Sequence, residues 1–132
     1  MSKDFVVRVL PGEYAICRLA PESSIPDSPA EARFCSVTVT EAEISVVCES
    51  SHVPAGCQTT DADWGIVYID AQMDLDIVGV LAKLLAPLRK AGISIFAIST
   101  FDTDYVLIRK SKLPVALNVL RSVGYDVRDK DG

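Results

Sequence analysis

The residue types that carry nucleophilic chemistry come close together at one place in this sequence. His52 is the only histidine among 132 residues, and Cys57 follows it by five positions. A histidine base can activate a thiol, but the base needs a third group to orient it, and the pattern indicates none here. We interpret His52 as a solvated loop residue and predict that the chain is not an enzyme.

Paired carboxylates, which can hold calcium or magnesium, form three Asp-x-Asp pairs. They are Asp61 with Asp63, Asp74 with Asp76, and Asp102 with Asp104. A calcium loop starting at Asp74 would place Val78 and Leu85 where oxygen ligands are required. Helix capping and turn formation explain these residues more simply, so neither a metal nor another cofactor is predicted.

One stretch concentrates groups suited to a small zwitterion. In Ala91-Gly92-Ile93, the glycine permits close approach of a ligand, and the backbone N–H groups could hold a carboxylate. Residues 100–104 add hydroxyls, an aromatic ring and two carboxylates that could accept hydrogen bonds from an ammonium group. The same residues also fit an ordinary hairpin with acidic turn residues. Binding requires the junction at Gly92 to lie beside that hairpin.

The elements that would position these groups are clear in the second half of the chain. A strand at 64–69 precedes an amphipathic helix from Ile77, with Asp74 or Asp76 as N-cap and Gly92 as left-handed C-terminal cap. Pro87 predicts a kink or local break in this helix. Strands at 93–100 and 105–109 are predicted to form a hairpin. A second helix follows, with Pro114 in its first turn, and the last predicted strand is at 125–127. This order predicts a ferredoxin-like split βαββαβ unit.

The first half is rich in strands and poor in helices. Strands are predicted at 5–10, 14–20, 34–39 and 44–49, and Pro21, Pro26 and Pro29 occupy the gap where a helix would otherwise fit. Residues 54–60 form the predicted connection to the second half.

Composition narrows the classes of function. The net charge of −5 and the pI near 4.7 argue against nucleic acid. RNA recognition on this topology would also require more than the one aromatic of the strand from Tyr105 to Arg109. No stretch is long and apolar enough for a membrane span, and the start lacks signal-peptide features, so a cytoplasmic location is predicted. The four cysteines are widely spaced, and Cys17, Cys35 and Cys48, which lie inside apolar runs, are expected to be buried structural thiols.

The run from Gly92 to Ile108 resembles the tandem ACT-domain proteins related to the CASTOR arginine sensors and to aspartokinase regulatory domains. The stretches Leu81–Leu88, Tyr14–Leu19 and Phe34–Thr38 look like bacterial members of that family, so nearly the whole chain is covered. The resemblance implies an α+β protein with two ferredoxin-like ACT units side by side, the first with reduced helices. The corresponding domains are 1–60, a degenerate ACT-like unit, and 61–132, an ACT domain.

The resemblance further implies regulation without catalysis and an amino acid as ligand. In such families the ligand lies near the glycine after the first helix and near the start of that helix, and in the arginine sensors an acidic residue near the hairpin receives the basic side chain. The predicted ligand contacts are Val78, Gly79, Gly92, Ile93, Thr100, Phe101, Asp102 and Asp104. Unpaired edge strands predict a homodimer. The alternative is a structural or protein-interaction domain that has lost its ligand.

Overall fold

The computed structural model describes residues 6–70 and 79–129, which form two compact units. The N-terminal unit is Gly12–Trp64, and the C-terminal unit comprises the described residues before and after it. The units differ from the predicted domains 1–60 and 61–132 because residues 6–11 group with the second half of the chain. The two long strands, β1 (Val6–Leu19) and β4 (Thr59–Ile69), contribute one part to each unit.

The N-terminal unit consists of strands in the order β2-β3-β1-β4. β2 is Cys35–Val39 and β3 is Ile44–Glu49, and both pairings, β2 with β3 and β3 with β1, are antiparallel. Among the described residues of this unit the only helical element is a 3-10 turn, Ser50–His52, which agrees with the predicted reduction of helices. One face of the sheet carries an apolar cluster to which β1 and β3 contribute alternate residues.

The C-terminal unit contains both α-helices, α1 (Val80–Lys90) and α2 (Leu113–Ser122), and its strands have the order β7-β1-β4-β6-β5. β5 is Ile95–Ser99, β6 is Asp104–Arg109 and β7 is Asp126–Arg128. Both helices pack on one face of this sheet, where Leu84 and Leu88 of α1 meet Leu120 of α2 over Val67 and Ile108 of the strands. The predicted ferredoxin-like arrangement is confirmed.

One strand is inserted into that arrangement. The sequence suggested two separate strands at 5–10 and 14–20, but β1 is continuous through Pro11 and Gly12. Val6–Arg8 pair in parallel with Asp126–Arg128, so the N-terminal strand lies between β7 and β4. Gly12, at φ 109°, and Asp63 of β4, at φ 73°, are the left-handed residues of the two long strands at the border between the units. Glycine adopts this conformation freely, and aspartate does so more readily than most residues.

The first helix is shorter than predicted but is not broken. Asp74, Asp76 and Ile77 lie outside the described residues, and the residue that precedes α1 is Gly79, at φ 81°. α1 continues past Pro87 to Lys90, because Pro87 lies in its last turns, where it removes one ladder bond and the following residues still close the helix. The Ala91 N–H donates to the Pro87 carbonyl at 3.1 Å.

Candidate functional site

Gly92 closes the C-terminus of α1, as predicted. Its φ is 76°, its N–H donates to the Arg89 carbonyl at 2.9 Å, and the Ile93 N–H donates to the Leu88 carbonyl at 3.0 Å. These two bonds form a Schellman motif, which satisfies the terminal carbonyls of a helix. The backbone donors that the sequence suggested for a ligand carboxylate therefore already bind the protein itself.

The hairpin between β5 and β6 lies at the other end of β5. Gly92 and Ile93 precede this strand, whereas Thr100, Phe101 and Asp102 follow it. A five-residue strand is about 16 Å long, which exceeds the reach of one free amino acid. The expectation that one zwitterion touches both segments is therefore wrong within this unit, because the intervening strand holds them apart.

The hairpin turn is closed by its own hydrogen bonds. The Thr100 N–H donates to the Thr103 carbonyl at 2.8 Å, and the Thr103 N–H donates to the Thr100 hydroxyl at 3.3 Å. Turns of this kind use a threonine hydroxyl in place of a second backbone acceptor. At the tip of this hairpin, Phe101 is 75% exposed, and Asp102 beside it is also exposed.

Thr103 fastens this hairpin to the neighbouring strand β4. Its side chain is buried, and its hydroxyl donates to the Ile69 carbonyl at 2.8 Å. The end of β4 and the hairpin are thereby fixed to each other. The Thr103 hydroxyl was counted among those of residues 100–104, but the burial of its side chain was not predicted.

Asp104 is a buried carboxylate at the same end of the sheet. It is 9% exposed, and the Ser99 hydroxyl donates to its Oδ1 at 2.5 Å. Alternate residues of a strand share a face, so Asp104 lies on the side of Val106 and Ile108, which is the side that the helices cover. Sequence reasoning also missed Ser99, which is opposite Asp104 in the hairpin register.

The N-terminus of α1 is also at this end. α1 is about 16 Å long, it reverses direction at Gly92, and β5 then runs back over a similar length. Gly79 at its start carries no side-chain cap, and a Cβ placed there would have open space around it. A helix N-terminus attracts negative charge. Val78, the other contact predicted here, lies outside the described residues.

The lengths of α1 and β5 put Gly79 at the same end of the C-terminal unit as Thr100, Phe101, Asp102 and Asp104, and they put Gly92 and Ile93 at the other end. We call the first five of these residues the hairpin-end site. It offers a helix N-terminus, a buried carboxylate and an exposed aromatic ring.

The other sequence candidates have different contacts. The Cys57 thiol donates to the Pro54 carbonyl at 3.1 Å, and His52 Nδ1 lies 3.4 Å from Glu49 Oε1. These contacts give no support to a cysteine–histidine nucleophile. Within residues 6–70 and 79–129, no three His, Cys, Asp or Glu side chains are grouped so that they could hold a metal ion, and no helix is long and apolar enough to cross a membrane.

Comparison with known proteins finds similarity for both parts of the chain. The ACT-domain family model matches residues 59–122, and a second model, described as an N-terminal domain, matches residues 12–56. Residues 59–122 are similar to the ACT domain. The two matches do not overlap, and the one at residues 12–56 lies inside the unit Gly12–Trp64.

Among sequence relatives, the human cytosolic arginine sensor for mTORC1 subunit 1 is 29% identical over 106 residues, or 75% of this chain. The chain spans 32% of that relative's length. A solved protein from Agrobacterium tumefaciens is 29% identical, with a TM-score of 0.85 over 97% of this chain and 95% of its own. The regulatory subunit of aspartate kinase from Thermus thermophilus, 15% identical, has a TM-score of 0.57 over 89% of this chain and 97% of its own, and supports the fold.

Proposed function

We propose that this protein is a cytoplasmic regulatory ACT-domain module without catalytic activity that binds an amino acid at the hairpin-end site. The observation that carries the proposal is the buried carboxylate of Asp104 at the end of the sheet where α1 begins. A carboxylate in a buried position is expensive unless it meets donors, and a ligand ammonium group would supply them.

The two ends of a free amino acid fit two features of this site. The ligand's carboxylate would be attracted to the N-terminus of α1 at Gly79, where no side chain caps the helix. Its ammonium group would donate to Asp104. The ligand would stabilise the arrangement of the site that binds it better, which is how a binding module transmits a signal.

A basic side chain on the ligand would find further partners at the hairpin tip. Asp102 offers a carboxylate for a guanidinium group, and the exposed ring of Phe101 offers a face for a cation–π contact. The relative named as an arginine sensor supports arginine as the first ligand to test.

The alternative function is a structural or protein-interaction domain that has lost ligand binding. The internal bonding of the hairpin favours it, since the turn at Thr100 and Thr103 is closed without a ligand. The Schellman motif at Gly92 likewise uses its donors internally. Both hypotheses agree on the fold and differ in whether Asp104 has a ligand to bind.

Calorimetric titration with arginine, lysine, threonine and the branched amino acids separates the two hypotheses. We expect one of these to bind, and at 100 times its dissociation constant it adds about 2.7 kcal/mol of stability. Asp104→Asn should weaken binding by about 1.5–3 kcal/mol, or roughly 10- to 150-fold in Kd. Glu41→Gln, a neutralised exposed residue of the N-terminal unit, is the matched control and should bind normally.

A uniform absence of binding, or equal Kd values for wild type and Asp104→Asn, would reject the hairpin-end site. Asp102→Asn refines the test, because it should weaken arginine and lysine binding more than threonine binding. Equal weakening of all three would show that Asp102 does not receive the ligand's side chain.

The chain is also proposed to form a homodimer through β5. This strand is the last in the order of the C-terminal unit, and within the described residues its outer edge has no partner strand. Its sequence, Ile95–Ser99, carries no charge that would discourage pairing. A groove of about 460 Å³ on the outer surface of α1, lined by Ala82, Leu85, Ala86, Arg89 and Lys90, provides further apolar surface.

Sedimentation analysis tests the dimer. A lysine on an edge strand opposes pairing, so Ala97→Lys, at an exposed position of β5, should give a monomer. Val115→Lys, at a residue of α2 that is 52% exposed, should leave the mass unchanged. A wild-type chain that is monomeric at high concentration would contradict the proposal.

A further inference from the structure

The four cysteines, far apart in sequence, converge in the core of the N-terminal unit. Cys17 of β1 and Cys48 of β3 belong to one buried apolar cluster, and Cys35 and Cys57 pack against it. All four thiols are free. Cys35 and Cys48 are directly opposite each other in the β2–β3 register. The cluster lies outside the hairpin-end site and has no role in the proposed ligand binding.

Cys17 and Cys57 are the pair best placed to react with each other. Cys57 packs against the cluster that contains Cys17, and burial together with the neighbouring Cys57 raises the pKa of the Cys17 thiol to about 11. The loop that carries Cys57 is fastened beside Cys17, since the Gln58 N–H donates to the Arg18 carbonyl at 2.8 Å. The side chains of Arg18 and Gln58 are also hydrogen bonded.

The two sulfurs differ in exposure. Cys17 is 1% exposed, whereas Cys57 is half-buried in a loop whose neighbouring residues, Ala55, Gly56 and Gln58, are exposed. A small oxidant therefore reaches Cys57 first. Cys57 lies outside the strands, between Gly56, at φ 87°, and β4. A disulfide requires a specific torsion about the S–S bond, which a loop provides more easily than two fixed strands do.

We propose that Cys57 and Cys17 form an oxidative modification site in which hydrogen peroxide, or a peroxide of similar size, converts the two thiols into a disulfide. The Cys57 thiolate attacks one peroxide oxygen, an S–O bond forms, the O–O bond breaks, and hydroxide leaves. The Cys17 sulfur then attacks the sulfenic acid of Cys57, the S–S bond forms, and the S–O bond breaks. The hydroxyl leaves as water with the proton of Cys17, so two thiols and one peroxide give one disulfide and two waters.

Cys35 and Cys48 are the competing pair. They face each other across fixed antiparallel strands, and Cys48 is 1% exposed. Cys48 and Cys17 are equally buried, so the two pairs differ in the more exposed partner, since Cys35 is held in strand β2 whereas Cys57 lies in a loop. The disulfide that forms on oxidation therefore shows which of the two cysteine pairs reacts.

The test is mass spectrometry of the whole chain after exposure to a small excess of hydrogen peroxide. The reaction is stopped by alkylating the remaining thiols in denaturant. We expect the treated chain to take up two alkyl groups where the untreated chain takes up four, its mass before alkylation to be lower by two hydrogen atoms, and peptide mapping to show Cys17 linked to Cys57. The oxidised chain should melt several degrees higher, because the crosslink closes a long loop in the unfolded chain.

Matched single substitutions complete the test. Cys57→Ser should keep three free thiols under the same treatment, and Cys35→Ser should still form the disulfide and keep one. Melting curves show that each variant is folded before oxidation. A disulfide between Cys35 and Cys48, or Cys57 oxidised to sulfinic acid while Cys17 stays free, would overturn the proposal, and so would four unmodified thiols.

Discussion

We predict that the hydrogen bond from Thr103 to the Ile69 carbonyl holds the hairpin in place. Thr103→Val removes the hydroxyl while keeping the branched shape of the side chain. Thr103 is 7% exposed, and the bond is 2.8 Å long, so the variant leaves a buried carbonyl without this donor. Leaving a buried polar group unsatisfied costs about 1–3 kcal/mol.

The corresponding change in melting temperature follows from the size of the protein. For a chain of this length 1 kcal/mol shifts the midpoint by roughly 4 °C, so Thr103→Val should melt about 4–12 °C below the wild type. Thr103→Ser is the matched control because it keeps the hydroxyl and loses one methyl group, which is worth about 0.8 kcal/mol. Hydrogen exchange adds a local readout, and the amides of residues 100–104 should exchange faster in the valine variant than in the serine variant.

A valine variant as stable as the wild type would refute this reasoning. The same conclusion follows if the serine variant loses as much stability as the valine variant, since packing rather than the hydrogen bond would then hold the hairpin. Urea denaturation with an unchanged m-value checks that the loss reflects the folded state.

Three further predictions concern backbone conformation and buried thiols. Gly92→Ala should cost about 1–2 kcal/mol of stability, because a Cβ is strained at φ 76° although no atom is near it, and amino-acid titration should show an unchanged Kd. Asp63→Gly should stabilise the chain by up to about 1 kcal/mol in urea denaturation, because a non-glycine residue in β4 is strained in the left-handed conformation. A loss of stability would mean that the Asp63 side chain contributes more than the strain costs. Burial raises the pKa of Cys17 to about 11 and of Cys48 to about 12, so the folded state keeps protons that the unfolded state releases above pH 9. Above that pH, the free energy of unfolding should fall by about 1.4 kcal/mol per pH unit for each thiol. In Cys48→Ala, the free energy of unfolding should fall less steeply with pH.

Local patterns were enough to predict the C-terminal end of α1 and most strands. Gly92 was placed after the first helix and has a φ of 76°, and Gly124, at 103°, has the same position after α2. The Tyr125 N–H donates to the Leu120 carbonyl at 3.1 Å, so α2 ends with the same motif as α1. These features depend on a few consecutive residues, so they can be predicted from the sequence alone.

The path of the N-terminal strand could not be predicted in the same way. Pro11 and Gly12 are typical of a break, yet β1 continues through them and pairs with β7 at the far end of the chain. That pairing depends on contacts between residues about 120 positions apart, which no local pattern reports. The position of residues 6–11 in the C-terminal unit follows from it.

The error at the candidate site has a different cause. Gly92 and Thr100 are near neighbours in sequence, and both carry features suited to a ligand. A strand of five residues separates them, and the extended conformation puts its two ends far apart. The strand assignment was already available from the sequence, so the separation could have been predicted by asking which end of the strand each residue occupies.

The stability of Asp104→Asn distinguishes a binding residue from a structural one, independently of any ligand. A buried carboxylate is more costly than an amide of the same shape, and the amide oxygen can still accept the hydrogen bond from Ser99. If Asp104 serves a ligand, the ligand-free protein has no need of the charge, and Asp104→Asn should melt at the same temperature or higher. Sites that bind or react commonly show this conflict between stability and function. If the carboxylate instead organises the hairpin, the variant should lose more than about 1 kcal/mol, as buried hydrogen bonds to charged groups do, and the scaffold hypothesis would then account for Asp104 without a ligand.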